Sequence, residues 1–284
     1  NWLYTISPKR KLIDLNFQEI WRYKDLMLLF VKRDVVTLYK QTILGPLWYF
    51  IQPLFTSVIF TVIFNNLANI PTGDGVPSFL FNLAGITSWN YFKECLVGTS
   101  DTFKKNQNIF GKVYFPRVVM PLSTVVSNLL KFGIQLMVFV GFYLFYVFFR
   151  DASVIPNISL LLFPVLIIIM ALLGLGLGMI ISSMTTKYRD LNFLVQFGVQ
   201  LLMYASGVMY TVSYFKEKLP DIAWLVEWNP MTIIIEAFRH MTLGANAGDI
   251  DSVKFLYAVV FSLIAFFIGL GIFNKTEKSF IDTI

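Results

Sequence analysis

Two runs of polar side chains interrupt otherwise apolar sequence at helical spacing. Ser123, Thr124, Ser127, Asn128, Lys131 and Gln135 fall at i, i+1, i+4, i+5, i+8 and i+12. Asn192, Gln196, Gln200 and Tyr204 recur every fourth residue. On α-helices each set lines one face. Hydroxyls, amides and one ammonium offer hydrogen bonds but no activated nucleophile, so the chemistry they suit is reversible contact with a polar cargo. A polar side chain facing lipid is costly, so both faces should look at protein or water. Each stripe has two readings, a polar transport path or hydrogen bonding between helices or between copies. Lys131 has a third, in which its ammonium snorkels to the cytoplasmic surface.

Catalytic patterns are missing. His240 follows Glu236 by one helical turn, but no nucleophile has matching spacing, and it reads as an interfacial polar residue. Gly174-Leu-Gly-Leu-Gly178 lies inside an apolar run with no preceding strand, which indicates close helix packing rather than a dinucleotide loop. The sequence lacks Gly-x-x-x-x-Gly-Lys-Ser/Thr, and Gly111-Lys112 lacks the upstream glycine, so the chain does not bind ATP through a phosphate loop. One Cys (Cys95) and one His exclude an internal disulfide framework and argue against a Cys- or His-based metal centre. We assign no catalytic, cofactor or metal residue. Glu94 and Asp101 stand too near a span end to read as a proton relay.

These side chains must be positioned by helices in a bilayer. Of 284 residues, 56% are hydrophobic and 14% charged, with mean hydropathy +0.67. Soluble domains carry about 25% charged residues. The expected fold is an all-α polytopic membrane protein with six transmembrane helices at about 43–64, 79–102, 118–149, 158–183, 191–212 and 254–273. An amphipathic interface segment (1–40) precedes a six-span transmembrane domain (41–284), and two short re-entrant outer helices (214–245) precede the last span. Ile43–Phe64 contains no charge. Its length in helix, roughly 33 Å, crosses a hydrocarbon core of ~30 Å. Pro46 fits the first turn, and Pro53 is expected to kink or break the helix. Lys93-Glu94 interrupts span 2. Span 3 is too long to cross upright.

The N-terminal segment carries Phe17, Ile20, Trp21, Leu28, Val31, Val35 and Leu38 on one expected stripe, as in a helix lying along a membrane surface. With six spans, sixteen of the 23 Lys and Arg fall on one side, in 1–42, 103–117, 184–190 and 274–284. That bias predicts cytoplasmic termini. It also ties the net charge of +6 to topology rather than to nucleic acid. No cleavable signal peptide is visible. Asn229-Pro230 reads as an N-cap followed by proline at the first helical position, with Met231, Ile234, Ile235 and Phe238 on one face beyond it. Trp48, Tyr49, Phe50, Trp89, Tyr91, Phe92, Tyr204 and Tyr210 lie near span ends, as an interfacial aromatic belt or as flat rings along a path for sugars.

Tyr39-Lys-Gln-Thr-Ile-Leu-Gly-Pro-Leu-Trp48 with Gln52-Pro-Leu54 resembles the first-span signature of type-2 ABC exporter permeases for O-antigen, capsule and teichoic acid. Phe115-Pro116-Arg117, Tyr188-Arg189-Asp190 and Trp228-Asn229-Pro230-Met231 are similar to that family in the same order. The resemblance implies a permease that pairs with a second copy of itself and binds two separate ATPase subunits, which hold ATP and Mg. It implies a bacterial inner-membrane location and a lipid-linked glycan as cargo. It makes 12–28 an interface helix and 103–116 a coupling helix, with Lys104, Lys105, Asn106, Phe110 and Phe115 as candidate ATPase contacts. The glycan would enter laterally near Trp48 and Gln52. The candidate path is Trp48, Tyr49, Gln52, Ser127, Asn128, Lys131, Gln135, Gln196, Gln200 and Tyr204. The alternatives are a type-2 permease for drugs or simple lipids, a membrane-embedded glycosyl- or acyltransferase, and a passive channel.

Overall fold

The computed structural model describes residues 17–40, 44–106, 109, 115–150, 154–186 and 190–280, and among them every regular element is helical. In chain order these are α1 (Phe17–Arg22), α2 (Lys24–Tyr39), α3 (Leu47–Phe60), α4 (Ser78–Ser100), α5 (Thr102–Lys105) and α6 (Val119–Phe149). There follow α7 (Phe163–Thr185), α8 (Leu191–Tyr204), α9 (Val212–Lys218), α10 (Ala223–Glu227), α11 (Pro230–Leu243) and α12 (Ser252–Phe280).

Four segments are long and apolar enough to cross a membrane: Leu47–Leu67, Val119–Phe149, Ile158–Thr185 and Ser252–Glu277. Helix α4 has 23 residues, long enough to cross, but is more polar. Its position explains the polarity. Residues 80–89 are all buried, and α3, α6, α7 and α11 surround the helix. Asn82, Thr87 and Ser88 therefore face protein rather than lipid. Helix α8 has 14 residues. At ~1.5 Å per residue that is about 21 Å, short of a full crossing.

The Gly-x-Gly-x-Gly run works as a packing device. A β-carbon on Gly174 would lie 2.8 Å from Cys95 Cβ, and one on Gly178 would lie 2.6 Å from Thr99 Cβ, both on α4. A β-carbon on Gly176 would come within 2.5 Å of the Ala265 backbone on α12. Helix α7 is thus pressed between two helices with backbones in near contact, as small residues permit in membranes. Rings of Tyr91, Phe132, Phe163, Phe139 and Phe238 pack at 4.9–6.3 Å and join α4, α6, α7 and α11. A second core joins α2, α5, α6 and α12 through Phe30, Phe103, Val119, Met120 and Phe273, with Phe115 just before α6.

Two expectations about local geometry change. Helix α3 runs unbroken through Pro53, and the irregularity comes later, where Thr61–Leu67 winds as a π-helix. Asn82 of α4 holds that segment, donating to Asn65 Oδ1 (2.7 Å) and Thr61 Oγ1 (3.1 Å). Both acceptors are side-chain atoms, so Asn82 anchors the segment to α4 without entering its backbone ladder. The N-terminal stripe is also rotated. A break between α1 and α2 lets Tyr23, Leu26, Met27 and Phe30 pack on the second core, Val31 is buried beside them in sequence, and Trp21, Leu28 and Leu29 point outward. Residues 1–16 of that segment, and Gln41 to Ile43 of the first motif, lie outside the described residues.

Candidate transport path

The polar stripe on α6 turns inward. Ser123, Ser127, Asn128 and Gln135 are buried, and Thr124 and Lys131 are partly so. The three hydroxyls donate to carbonyls of their own helix, at Met120 and Ser123. The longer side chains reach across. Asn90 of α4 donates to Gln135 Oε1 at 3.4 Å, and Lys131 Nζ lies 3.3 Å from Glu94 Oε2. The same ammonium stands 5.3 Å from the centre of the Tyr49 ring on α3. Both readings of the stripe therefore meet here, since several of its members bond between helices and also line open space.

That space has two parts. A cavity of about 300 Å³ lies among α2, α4, α6 and the segment after α5, lined by Arg33, Asp34, Asn106, Thr124 and Ser127 among others. A narrower groove follows between α3, α4 and α6, lined by Tyr49, Gln52, Asn90 and Gln135. Glu94, Asn128 and Lys131 line both. Tyr49, Gln52, Asn128, Lys131 and Gln135 are thus brought to one groove, and Ser127 to the cavity beside it. Trp48 is half exposed on α3.

The stripe on α8 lies elsewhere. Gln196, Gln200 and Tyr204 are exposed, while Val199 is buried and Val195, Leu202 and Met203 pack against the core. The structure does not bring this stripe to the α6 groove within one chain. The side chain of Asn192 lies outside the described residues.

In the basic segment, Lys104 and Lys105 are exposed, and Lys105 pairs with Asp101 at 3.1 Å. Asn106 turns inward, donating to the Thr102 carbonyl (3.0 Å) and accepting from Arg33 Nη1 (3.5 Å). Phe115 is 4% exposed, its ring 5.8 Å from that of Phe30. Phe110, and Tyr188 and Arg189 of the later motif, lie outside the described residues.

The short helices α9 to α11 are held by residues that sequence reading passed over. Asn229 caps α11 as expected, accepting from Met231 N at 2.9 Å. Its amide also donates to the Ala205 carbonyl at 2.9 Å. Arg239, given no role in the sequence reading, is fully buried. It donates to the carbonyls of Phe81, Gly207 and Val208 and lies over the Phe81 ring. Residues 205–208 follow the end of α8, so α11 supplies donors to backbone that no helix continues to satisfy. The cross-helix pair Glu94–Lys131 was also missed as a pair. The available signal was two opposite charges in neighbouring apolar spans, which rarely stay unpartnered. At the opposite face, Lys254 donates to Glu227 at 2.6 Å, with Lys216 at 3.9 Å. The Lys254 hydrogen bond holds the Glu227 carboxyl below its ordinary range.

Four helices long and apolar enough to cross a membrane, packed beside a groove lined by polar side chains, define a multi-pass membrane protein. Residues 25–243 match the ABC-2 type transporter family, and the chain belongs to it. It is 27% identical to an O-antigen export system permease protein RfbA of Klebsiella pneumoniae, over 91% of this chain and 94% of the relative. It is 25% identical to the O-antigen export permease RfbA of Myxococcus xanthus, over 94% and 98%. It is 21% identical to the polysialic acid transport protein KpsM of Escherichia coli, over 88% and 93%.

Proposed function

We propose that this chain is the transmembrane subunit of an ABC transporter that exports a polysaccharide across the bacterial cytoplasmic membrane. The observation that carries the reading is the match over nearly the whole chain to relatives named for O-antigen export and polysialic acid transport. The groove supports it. Its lining of four amides, two tyrosines, Lys93 and the Glu94–Lys131 pair suits hydroxyl-rich cargo better than an apolar drug or lipid tail.

The chain crosses six times, with α4 as one further crossing and α8 continued by the non-helical residues 205–211, whose carbonyls Asn229 and Arg239 satisfy, as the other, and both termini are cytoplasmic. Two copies pair, and the exposed stripe Gln196, Gln200, Tyr204 of α8 supports this, since lipid is a poor solvent for amides. Two separate ATPase subunits supply the work through segment 103–117, with Lys104 and Lys105 outward. The cargo is a lipid-linked glycan that passes Trp48, Tyr49 and Gln52 and then the polar residues of α6 and α8.

Deleting the gene in its native host tests the function. The surface polysaccharide should vanish and lipid-linked glycan should build up on the inner side. An unchanged surface polysaccharide would refute the reading.

A further inference from the structure

The two open spaces along α6 meet at Glu94, Asn128 and Lys131, which line both. Any cargo passing from one to the other goes by the ion pair. We propose that Glu94 and Lys131 form a gate in the path, and that the 300 Å³ cavity on the α2 side is a binding site for uncharged sugar units. This rests on the glycan-export reading above.

The charge arrangement favours a neutral polyhydroxyl ligand over a phosphate. The cavity presents Arg33, Lys105 and Lys131, but each already stands against a carboxylate. Arg33 is 2.8 Å from Asp34, Lys105 is 3.1 Å from Asp101, and Lys131 is 3.3 Å from Glu94. An anion would have to displace those carboxylates. A sugar hydroxyl donates and accepts at once, so it can bridge each member of a pair without evicting the other. The amides of Asn106 and Asn128 and the hydroxyls of Thr124 and Ser127 extend the same mixed lining.

The pair itself suits exchange rather than permanent closure. Its side chains are 17% and 42% exposed and line open space on either side, so both members are within reach of a cargo. Helices α4 and α6 are joined nearby without it, by Tyr91 against Phe132 at 4.9 Å and by Asn90 to Gln135. The Tyr49 ring offers Lys131 a second resting place when Glu94 turns to the cargo.

The test uses the permease assembled with its ATPase in membranes. Glu94→Lys and Lys131→Glu each place like charges at the gate, and each should cut export at least tenfold at unchanged assembly. The double exchange should restore at least a third of export. Single variants that export normally, or an assembled double exchange that stays inactive, would overturn the gate. Occupancy is read by maleimide labelling of Thr124→Cys, with the buried Cys95 silent. Free glycan released from the host's own glycolipid should slow labelling at least threefold, and inorganic diphosphate should not. Protection by diphosphate, or none by glycan while the unmodified complex exports, overturns the sugar site. If the unmodified complex exports no glycan, the export reading itself has failed.

Discussion

The guanidinium of Arg239 occupies the space that a β-carbon on Gly85 would need: such a carbon would lie 2.5 Å from Arg239 Nη2 and 2.8 Å from the Val208 carbonyl. One residue on the central helix is small so that one cation on α11 can reach the backbone beyond α8. Gly85→Ala should therefore destabilise by about 1–3 kcal/mol, the usual cost of overpacking. Arg239→Met should cost more, because three buried carbonyls lose their donor at about 1–3 kcal/mol each. Arg239→Lys should fall between, since an ammonium lacks the planar fork that spans three acceptors. Thermal unfolding of the purified permease in detergent reads the order. Equal stability of Gly85→Ala and the parent would contradict the fit.

The glycine contacts between α7 and its neighbours give a second comparison. Gly176→Val should disrupt the α7–α12 contact, where the added carbon meets backbone that cannot yield. Gly141→Ala, on α6, should be neutral or stabilising by up to about 1 kcal/mol, because a β-carbon there meets nothing within 4 Å and alanine is the better helix former. Yield of folded protein in detergent distinguishes the two substitutions of similar chemistry.

Much of this was legible in sequence where one local pattern decides the outcome. Asn229-Pro230 announced the start of α11, and the apolar setting of Gly174 to Gly178 announced helix contact. The inward stripe of α6 followed from the cost of polar groups in lipid. What stayed hidden depends on partners distant in the chain. Nothing near Arg239 in the sequence reveals that it meets Phe81 and Gly207. Glu94 and Lys131 lie 37 positions apart and pair only once α4 and α6 pack. The rotation of α2 has the same origin: its own stripe pointed one way, and the second core captured Tyr23, Met27 and Phe30 instead.

Acid should loosen the outer helices. Glu227 lies outside the four long apolar segments, and its carboxyl is held low chiefly by the hydrogen bond from Lys254. A lowered folded-state pKa means the contribution is fully present above the ordinary glutamate value of about 4.3 and is lost as pH falls through the lower folded value. Hydrogen exchange in Val212–Glu227 should quicken over that window. In Glu227→Gln the acceleration should be absent and exchange should already be faster at neutral pH. An identical pH profile in the variant would assign the effect to another group.

In the basic segment the proposed ATPase contacts and the residue that supports the fold are different side chains. Lys104 and Lys105 are exposed, whereas Phe115 packs against Phe30 within the chain. Reversing charge with Lys104→Glu and Lys105→Glu should leave thermal unfolding within about 0.5 kcal/mol of the parent, as for surface substitutions generally. The same change should weaken copurification with the ATPase and lower export. Phe115→Ala should act through the fold, destabilising by about 3–5 kcal/mol as for a buried phenylalanine. Its ATPase binding should fall only as far as its folded fraction does. Measuring unfolding and ATPase capture on the same preparations separates the two roles. If the lysine variants bind the ATPase at full strength while Phe115→Ala loses it with the fold intact, the outward lysines are not the docking surface and the aromatic is.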